Sequence, residues 1–387
     1  MTPEHSGPVV VTDLATFLRQ PVPAALDLEL TERCDNACLH CAVNLPLDDA
    51  QALAREMPTA RVKQVLSEAA DLGVLSLRIT GGEPLVRADF EEVYLHARRL
   101  GLEVTLLTNA RRVTPGLADL FREIPPRGHV CVTVYGMSRA TYEHMTRRPG
   151  SYDEFRRGVD LLVSSGVPLR LNGAFLSPYV DEMRALVAWA RTLPTVVGTP
   201  NEVMFYDLRR SRDSESRNRA IAELRPAPDE VLAAGALAAG HEAVTVRFCR
   251  SFCGPRGDLL FTCGVGLKPT VDAYGVAHAC ASLWDPQLSV DLSTTSLREA
   301  VEDVFPRLRE LRATDAAYLE RCARCFLRGL CQQCPARSYI EHGVLDRPVD
   351  YHCEAAQAQA RRLGLLSADE RPWRITDWKE RIACLTE

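Results

Sequence analysis

The chain has 387 residues, 46% apolar and 25% charged, an ordinary globular balance with room for one large catalytic domain and a smaller one. Its net charge of -5 comes from interspersed acids and bases, which excludes the electrostatic footprint of a nucleic-acid or anionic-membrane binder. No apolar run approaches bilayer-spanning length, and MTPEHSGPVV lacks the basic, apolar, small-residue order of a signal peptide, so a cytoplasmic location is expected.

Residues 1 to 24 are polar and proline-bearing, with a short helical pattern around Leu14 to Arg19, and form an N-terminal extension. From Leu26, apolar strand-like runs alternate with amphipathic helices. Strands are expected over 26–30, 74–79, 103–107, 129–135, 168–175 and 201–206, and helices over 59–72, 89–100, 115–123, 151–165 and 180–192. Six strands with intervening helices make a parallel α/β unit, a partial TIM-like (β/α)6 barrel over residues 25–206 whose function gathers at the C-terminal strand ends. Residues 207–246 are charged, then proline-punctuated, then helical; they read as a bridge whose RRSRDSESRNR part is a solvated loop able to order over a substrate. Residues 247–365 abandon the βα pattern for a small cysteine-rich domain with a hairpin and helices, and 366–387 form a tail.

Fourteen cysteines in a cytosolic chain are hard to explain as disulfides, and they are clustered, three at 34 to 41 and nine between Cys249 and Cys353. Clustering without export points to metal. In LDLELTERCDNACLHCAVN, three residues separate Cys34 from Cys38 and two separate Cys38 from Cys41, directly after a strand-like segment. Three thiolates on one loop leave a cubane cluster with one iron lacking a protein ligand, which suits a catalytic site better than a structural one. The plainer reading is a zinc knuckle or three buried structural cysteines. Zinc wants a fourth ligand, and His40 has little freedom to reach round and supply it. The spacing, with His40 before the third cysteine, resembles the cluster loop of the radical S-adenosylmethionine (SAM) superfamily, and the resemblance implies that the open iron chelates the amino and carboxylate groups of SAM.

Three features fall at the expected strand ends. Gly81-Gly82-Glu83-Pro84 follows strand 74–79; its glycines let backbone approach a ligand, and Glu83 or exposed peptide groups can hold an ammonium. Alone this is a glycine turn before a helix. Placed after the cysteine loop, it resembles the radical SAM motif that holds the methionine amino group. Thr108-Asn109 ends the third strand. Thr133 and Tyr135 share one parity in HVCVTVYG, and Arg170 and Asn172 share one in PLRLNGAF. An interior polar residue must find a partner or face a cavity. For Asn109, Tyr135, Arg170 and Asn172 a satisfied network or a strand-end cap is the plain reading; the resemblance implies contacts to the SAM ribose and carboxylate.

In FTCGVGLKPTVDAYGVAHAC, eleven residues separate Cys263 from Gly275 and four more precede Cys280, with a hairpin turning at Tyr274-Gly275. In CARCFLRGLCQQCP, two residues separate Cys322 from Cys325, five precede Cys331 and two precede Cys334, and eighteen more precede Cys353. CxxC with a further CxxC is strong for a metal without naming it, and two structural zinc sites are the alternative. The field resembles the SPASM extension of radical SAM maturases, although the family's usual pattern is one residue longer between Cys331 and Cys334. By resemblance, Cys322, Cys325, Cys331 and Cys353 hold an outer auxiliary 4Fe-4S cluster, and Cys263, Cys280 and Cys334 an inner one. The inner fourth ligand is Cys253 or Cys249, or the site is open; either cysteine is alternatively a hydrogen-atom donor. Cys131 and Cys384 read as small buried residues.

The resemblance implies reductive cleavage of SAM to a 5'-deoxyadenosyl radical that abstracts a hydrogen atom, with the protein supplying binding, orientation and exclusion of water. Three functions are weighed. The first is oxidative maturation of a ribosomally made peptide, by a thioether, a carbon-carbon crosslink or a related change. The second is radical epimerisation or dehydrogenation of a sugar, cyclitol or other small natural product. The third is a non-catalytic Fe-S electron carrier, which needs neither an open iron nor GGEP. A reducing partner such as flavodoxin or ferredoxin is implied, and because residues 1 to 24 are too few for a leader-binding domain, a peptide substrate calls for a separate leader-binding protein or direct recognition by the barrel.

Overall fold

A computed structural model describes residues 23–174, 179, 181–198, 200, 207–235 and 241–385. Its largest sheet holds β1 (Ala25–Glu29), β2 (Ser76–Thr80), β3 (Glu103–Thr108), β4 (Arg127–Val134), β5 (Leu169–Gly173), β6 (Thr270–Val271), β7 (Val276–His278) and β8 (Val290–Asp291), in the order β8-β7-β6-β1-β2-β3-β4-β5. Strands β1 to β5 run parallel. Between them lie α1 (Thr59–Asp71), α2 (Phe90–Arg99), α3 (Pro115–Glu123) and α4 (Ser151–Ser165), close to the expected helices. A parallel bridge from Leu169 to Val196 continues beyond β5; the sixth expected strand, 201–206, and the pattern at Leu14 to Arg19 lie outside the described residues.

Strict alternation decides which face is which. Leu26, Leu28, Leu77, Ile79, Val104, Leu106, Val130, Val132, Leu169 and Leu171 are buried in one core with Val62, Val65, Leu66 and Ala69 of α1. The other parity carries Asp27 and Glu29, Arg78 and Thr80, Thr133 and Asn172. A sheet apolar on one face and polar on the other, with helices over the apolar face, presents its polar face to a concave interior.

The hairpin at Tyr274-Gly275 forms as expected. The Asp272 carboxylate accepts the Tyr274 and Val276 N–H groups, both at 2.9 Å, and Gly275 takes φ +86. Its first strand extends the main sheet, pairing parallel to β1 at Asp27↔Thr270 and Leu28↔Val271. The C-terminal half is thereby fused to the barrel edge, and the Ala273 carbonyl accepts the Met57 N–H at 2.8 Å.

Candidate functional site

The cysteine loop leaves β1 and is held by the turn after β2. Gly82 N–H donates to the Thr31 carbonyl at 2.6 Å, and Glu83 N–H to the Arg33 carbonyl at 2.9 Å. The backbones meet so closely that a Cβ at Gly81 would overlap the Thr31 carbonyl oxygen and one at Gly82 the Arg33 carbonyl oxygen; Gly81 also sits at φ +138. These glycines are thus required by contact with the loop itself. Pro84 is buried and opens a short 3-10 turn.

Glu83 is 1% exposed, and its carboxylate accepts from Leu85 N–H (3.1 Å), Thr108 Oγ1–H (2.8 Å) and Asn109 N–H (2.7 Å). Burial pushes it up to about 7. The carboxylate is occupied in tying the β2 and β3 ends together. At the β3 end Ala110 takes the left-handed conformation, φ 64, and Arg111 turns back onto the loop. Its guanidinium donates to the Asp35 carbonyl at 2.7 Å and to Asn36 Oδ1 at 2.6 Å, and pairs with Glu154 at 2.6 Å. Asn109 Nδ2 donates to Asp35 Oδ1 at 2.8 Å, and Arg112 reaches the other oxygen at 2.9 Å. Arg33 grips Glu56 through two bonds of 2.8 and 3.0 Å. None of Asp35, Arg111, Arg33 or Glu56 was singled out by sequence; for the first three the available signal was closeness to Cys34 or Asn109, and Glu56 carried none.

Cys34 and Cys38 are buried and Cys41 is half-buried. Burial holds the Cys34 and Cys38 thiols above their usual range. The Tyr135 hydroxyl is hydrogen-bonded to Cys38, and its ring lies 5.8 Å from that of His40. Burial, then the Arg217 cation, lowers His40 to about 4, which leaves the ring neutral near pH 7.

A cavity of about 320 Å³ opens at the carboxyl ends of the strands, lined by His40 and Cys41, by Gly81, Gly82 and Glu83, and by Thr108, Asn109, Thr133 and Tyr135. Arg170 and Asn172 are not among its lining residues, which corrects the expectation that they contact a ligand there. Asn172 is level with the cavity residue Thr133 but is hydrogen-bonded to Cys131, and Arg170, level with Cys131, is exposed.

The charged bridge also departs from expectation. Asp207 and Arg210 line the cavity, and Arg209 and Arg210 are buried. Arg210 donates to both oxygens of buried Glu29, at 2.6 and 2.9 Å, with its guanidinium 3.6 Å from the Trp284 ring centroid. Arg217, on α5 (Glu215–Glu223), donates to the Cys38 carbonyl at 3.1 Å and to Asn44 Oδ1. A run with nearby acids reads as solvated; here Arg209 does pair locally, with Asp213, but Arg210 and Arg217 take partners from distant chain.

In the second cysteine field, Cys322, Cys325, Cys331 and Cys353 line one pocket together with Arg256, Arg321, Arg328 and Trp373. Cys263 and Cys334 lie close enough to Cys280 to act on its thiol, which burial raises to about 11, and the cavity residues Ala281 and Ser282 follow directly in the chain. Among the described residues no three His, Cys, Asp or Glu side chains converge as ligands of one metal ion do. Cys249 on α6 (His241–Phe252) and Cys253, just past its end, are hydrogen-bonded to each other and packed with Phe326 and Leu327; they line neither pocket, so a hydrogen-atom donor in the cavity is not found in them. Cys131 is buried as read, whereas Cys384 is exposed.

The class defined by fold and site is a parallel α/β half-barrel with a three-cysteine loop over a cavity at its carboxyl rim. Residues 28–189 match the Radical SAM superfamily. Among curated proteins, the chain is similar to PqqA peptide cyclase of Xanthomonas campestris pv. campestris, 32% identical over 172 residues, 44% of this chain and 44% of the relative, so less than half of that relative is spanned. It is also similar to the AdoMet-dependent heme synthase of Methanosarcina barkeri, 23% identical over 354 residues, 83% of this chain and 93% of the relative. Among solved structures, Streptococcus suis SuiB bound to S-adenosylmethionine superposes with a TM-score of 0.64 at 16% identity, covering 88% of this chain and 80% of that one, a likeness of fold. No helix among the described residues is long and apolar enough to cross a membrane.

Proposed function

We propose that the protein is a radical SAM enzyme that abstracts a hydrogen atom from a ribosomally made peptide. The observation that carries this is the three-cysteine loop, bonded to the Gly81-Gly82-Glu83 backbone and facing the 320 Å³ cavity. The donor set fits: Cys34, Cys38 and Cys41 would hold a 4Fe-4S cluster short of one ligand, with the Gly81-Gly82-Glu83 turn lining the cavity beside it for SAM. Bound there, the pair supplies reductive sulfonium cleavage and a primary carbon radical. The chain's own residues do the rest. Asn109, Arg111 and Asp35 fix the loop, Tyr135 orients Cys38, and the Glu29–Arg210 pair with Trp284 closes the cavity wall against water.

Residues 247–365 are read as a SPASM-type extension. Thiols distributed around a pocket, rather than convergent on one point, fit polynuclear clusters better than zinc. Cys322, Cys325, Cys331 and Cys353 would hold the outer one, and Cys263, Cys280 and Cys334 the inner, leaving that site open. The PqqA peptide cyclases support a peptide substrate; a separate leader-binding protein and a flavodoxin- or ferredoxin-type reductant complete the reading. A small natural product is the second reading, favoured by the heme synthase likeness over 83% of the chain.

Anaerobic reconstitution tests the reading. Iron near twelve per chain is expected for three 4Fe-4S clusters. A count near four would remove the auxiliary sites, and stoichiometric zinc without iron would remove the enzyme. Mass shifts of a synthetic precursor peptide, against none of a porphyrin, separate the two substrate readings.

A further inference from the structure

One sulfur of the outer cysteine pocket is met by two side-chain donors. Cys353 Sγ accepts from Gln357 Nε2 at 3.2 Å and from Arg321 Nη2 at 3.7 Å, while Cys331 Sγ accepts the Gln333 N–H at 3.4 Å. Gln357 lies one turn beyond Cys353 on the helix Asp350–Arg362 and is 7% exposed, so packing holds its amide at the sulfur. Arg321 is fixed from two sides: Asp350 pairs with it at 2.8 Å, and its guanidinium lies 5.1 Å from the Trp373 ring centroid. Its Nε is buried without a hydrogen-bond partner among the described residues.

The charge lining this pocket has one sign. Arg256, Arg321 and Arg328 line it, and among the described residues no carboxylate does. Three guanidiniums beside four thiols match an anionic occupant. A 4Fe-4S cluster held by four thiolates is anionic in both redox states, and more so after it gains an electron. Trp373 lines the same pocket and keeps part of its wall dry, where a charge acts through a lower effective dielectric.

We propose that Arg321 and Gln357 set the reduction potential of the outer cluster, stabilising its reduced, more anionic state through the Cys353 sulfur. This rests on the reading of residues 247–365 as a two-cluster extension. Both are positioning residues: neither is among the residues lining the SAM cavity, and each acts through a ligand sulfur. Hydrogen bonds to the sulfurs and nearby cations raise a cluster's potential, so loss of either donor lowers it.

The test is an EPR-monitored redox titration of reconstituted full-length protein carrying Cys34→Ala, Cys38→Ala and Cys41→Ala, in which iron of about eight per chain is expected. The outer signal is the one that Cys325→Ala removes. At a fixed potential near the midpoint, Arg321→Gln is expected to cut the reduced-to-oxidised ratio of that signal about tenfold, a downward shift of about 59 mV for one electron. Gln357→Leu is expected to shift it in the same direction. Arg321→Lys, which keeps the cation, is expected to recover most of the loss. Asp350→Asn breaks the same ion pair but leaves the cation, and is expected not to lower the midpoint. An unchanged midpoint in Arg321→Gln and Gln357→Leu at full iron, or an equal fall in Asp350→Asn, overturns the proposal and leaves the cluster reading standing. Absence of iron from that background removes the cluster reading, and the proposal with it.

Discussion

A methyl group at position 81 has nowhere to go. The residue sits at φ +138 against the Thr31 carbonyl, so Gly81→Ala must separate the β2 turn from the cysteine loop. It is expected to cost about 1–3 kcal/mol and to lower iron retention after reconstitution; a wild-type melting temperature together with full iron content would show that the contact is slack. Glu83 gives a sign. Its folded value is about 7 against 4.5 for the free side chain, so between those values the native protein keeps a proton that the unfolded chain has lost. Apoprotein stability should therefore fall as pH rises from about 4.5 to about 7 and level off above, and Glu83→Gln should remove that slope from urea midpoints across the same range. At this scale the sequence yields residue types better than duties. GGEP was legible as a motif, but that its glutamate is spent on Thr108 and Asn109 depends on a hydrogen-bond network that no spacing encodes.

Strand faces were readable because alternation has a period of two and one face must be buried. Which polar residues of that face reach the cavity was not: Asn172 is level with the cavity residue Thr133 yet is hydrogen-bonded to Cys131, and Arg170, one pair lower, is exposed. The charged bridge misled for a related reason: ion pairing between Arg210 and Glu29 spans 181 positions, and a local pattern of mixed charge looks the same whether solvated or buried. Cys249 and Cys253 were candidates through the resemblance to the SPASM extension; their hydrogen bond to each other and their packing with Phe326 depend on tertiary contacts that the spacing does not encode. Helix α5 matters through Arg217, which bonds to the Cys38 carbonyl and Asn44. Arg217→Ala is expected to leave folding nearly intact, within about 1–2 kcal/mol, while speeding iron loss to a chelator several-fold; an unchanged release rate would mean the loop is held without it.

Across the whole molecule, one sheet carries both cysteine fields, since β6 pairs with β1. The two fields and their order could be read from the chain; their joining could not, because a parallel pairing between positions so far apart leaves no local trace. The Glu29–Arg210–Trp284 contact ties barrel, bridge and C-terminal region. Arg210→Gln strands a buried carboxylate and is expected to destabilise by about 3–5 kcal/mol, much of it recovered when Glu29→Gln is added; additive losses in the double variant would refute coupling between them. What the account claims above all is that the loop at Cys34, Cys38 and Cys41 is the seat of SAM cleavage. The most direct measurement is 5'-deoxyadenosine released anaerobically from SAM and dithionite by wild type and by Cys38→Ala. Release by the wild type alone is the predicted result, and equal release by both proteins would contradict it.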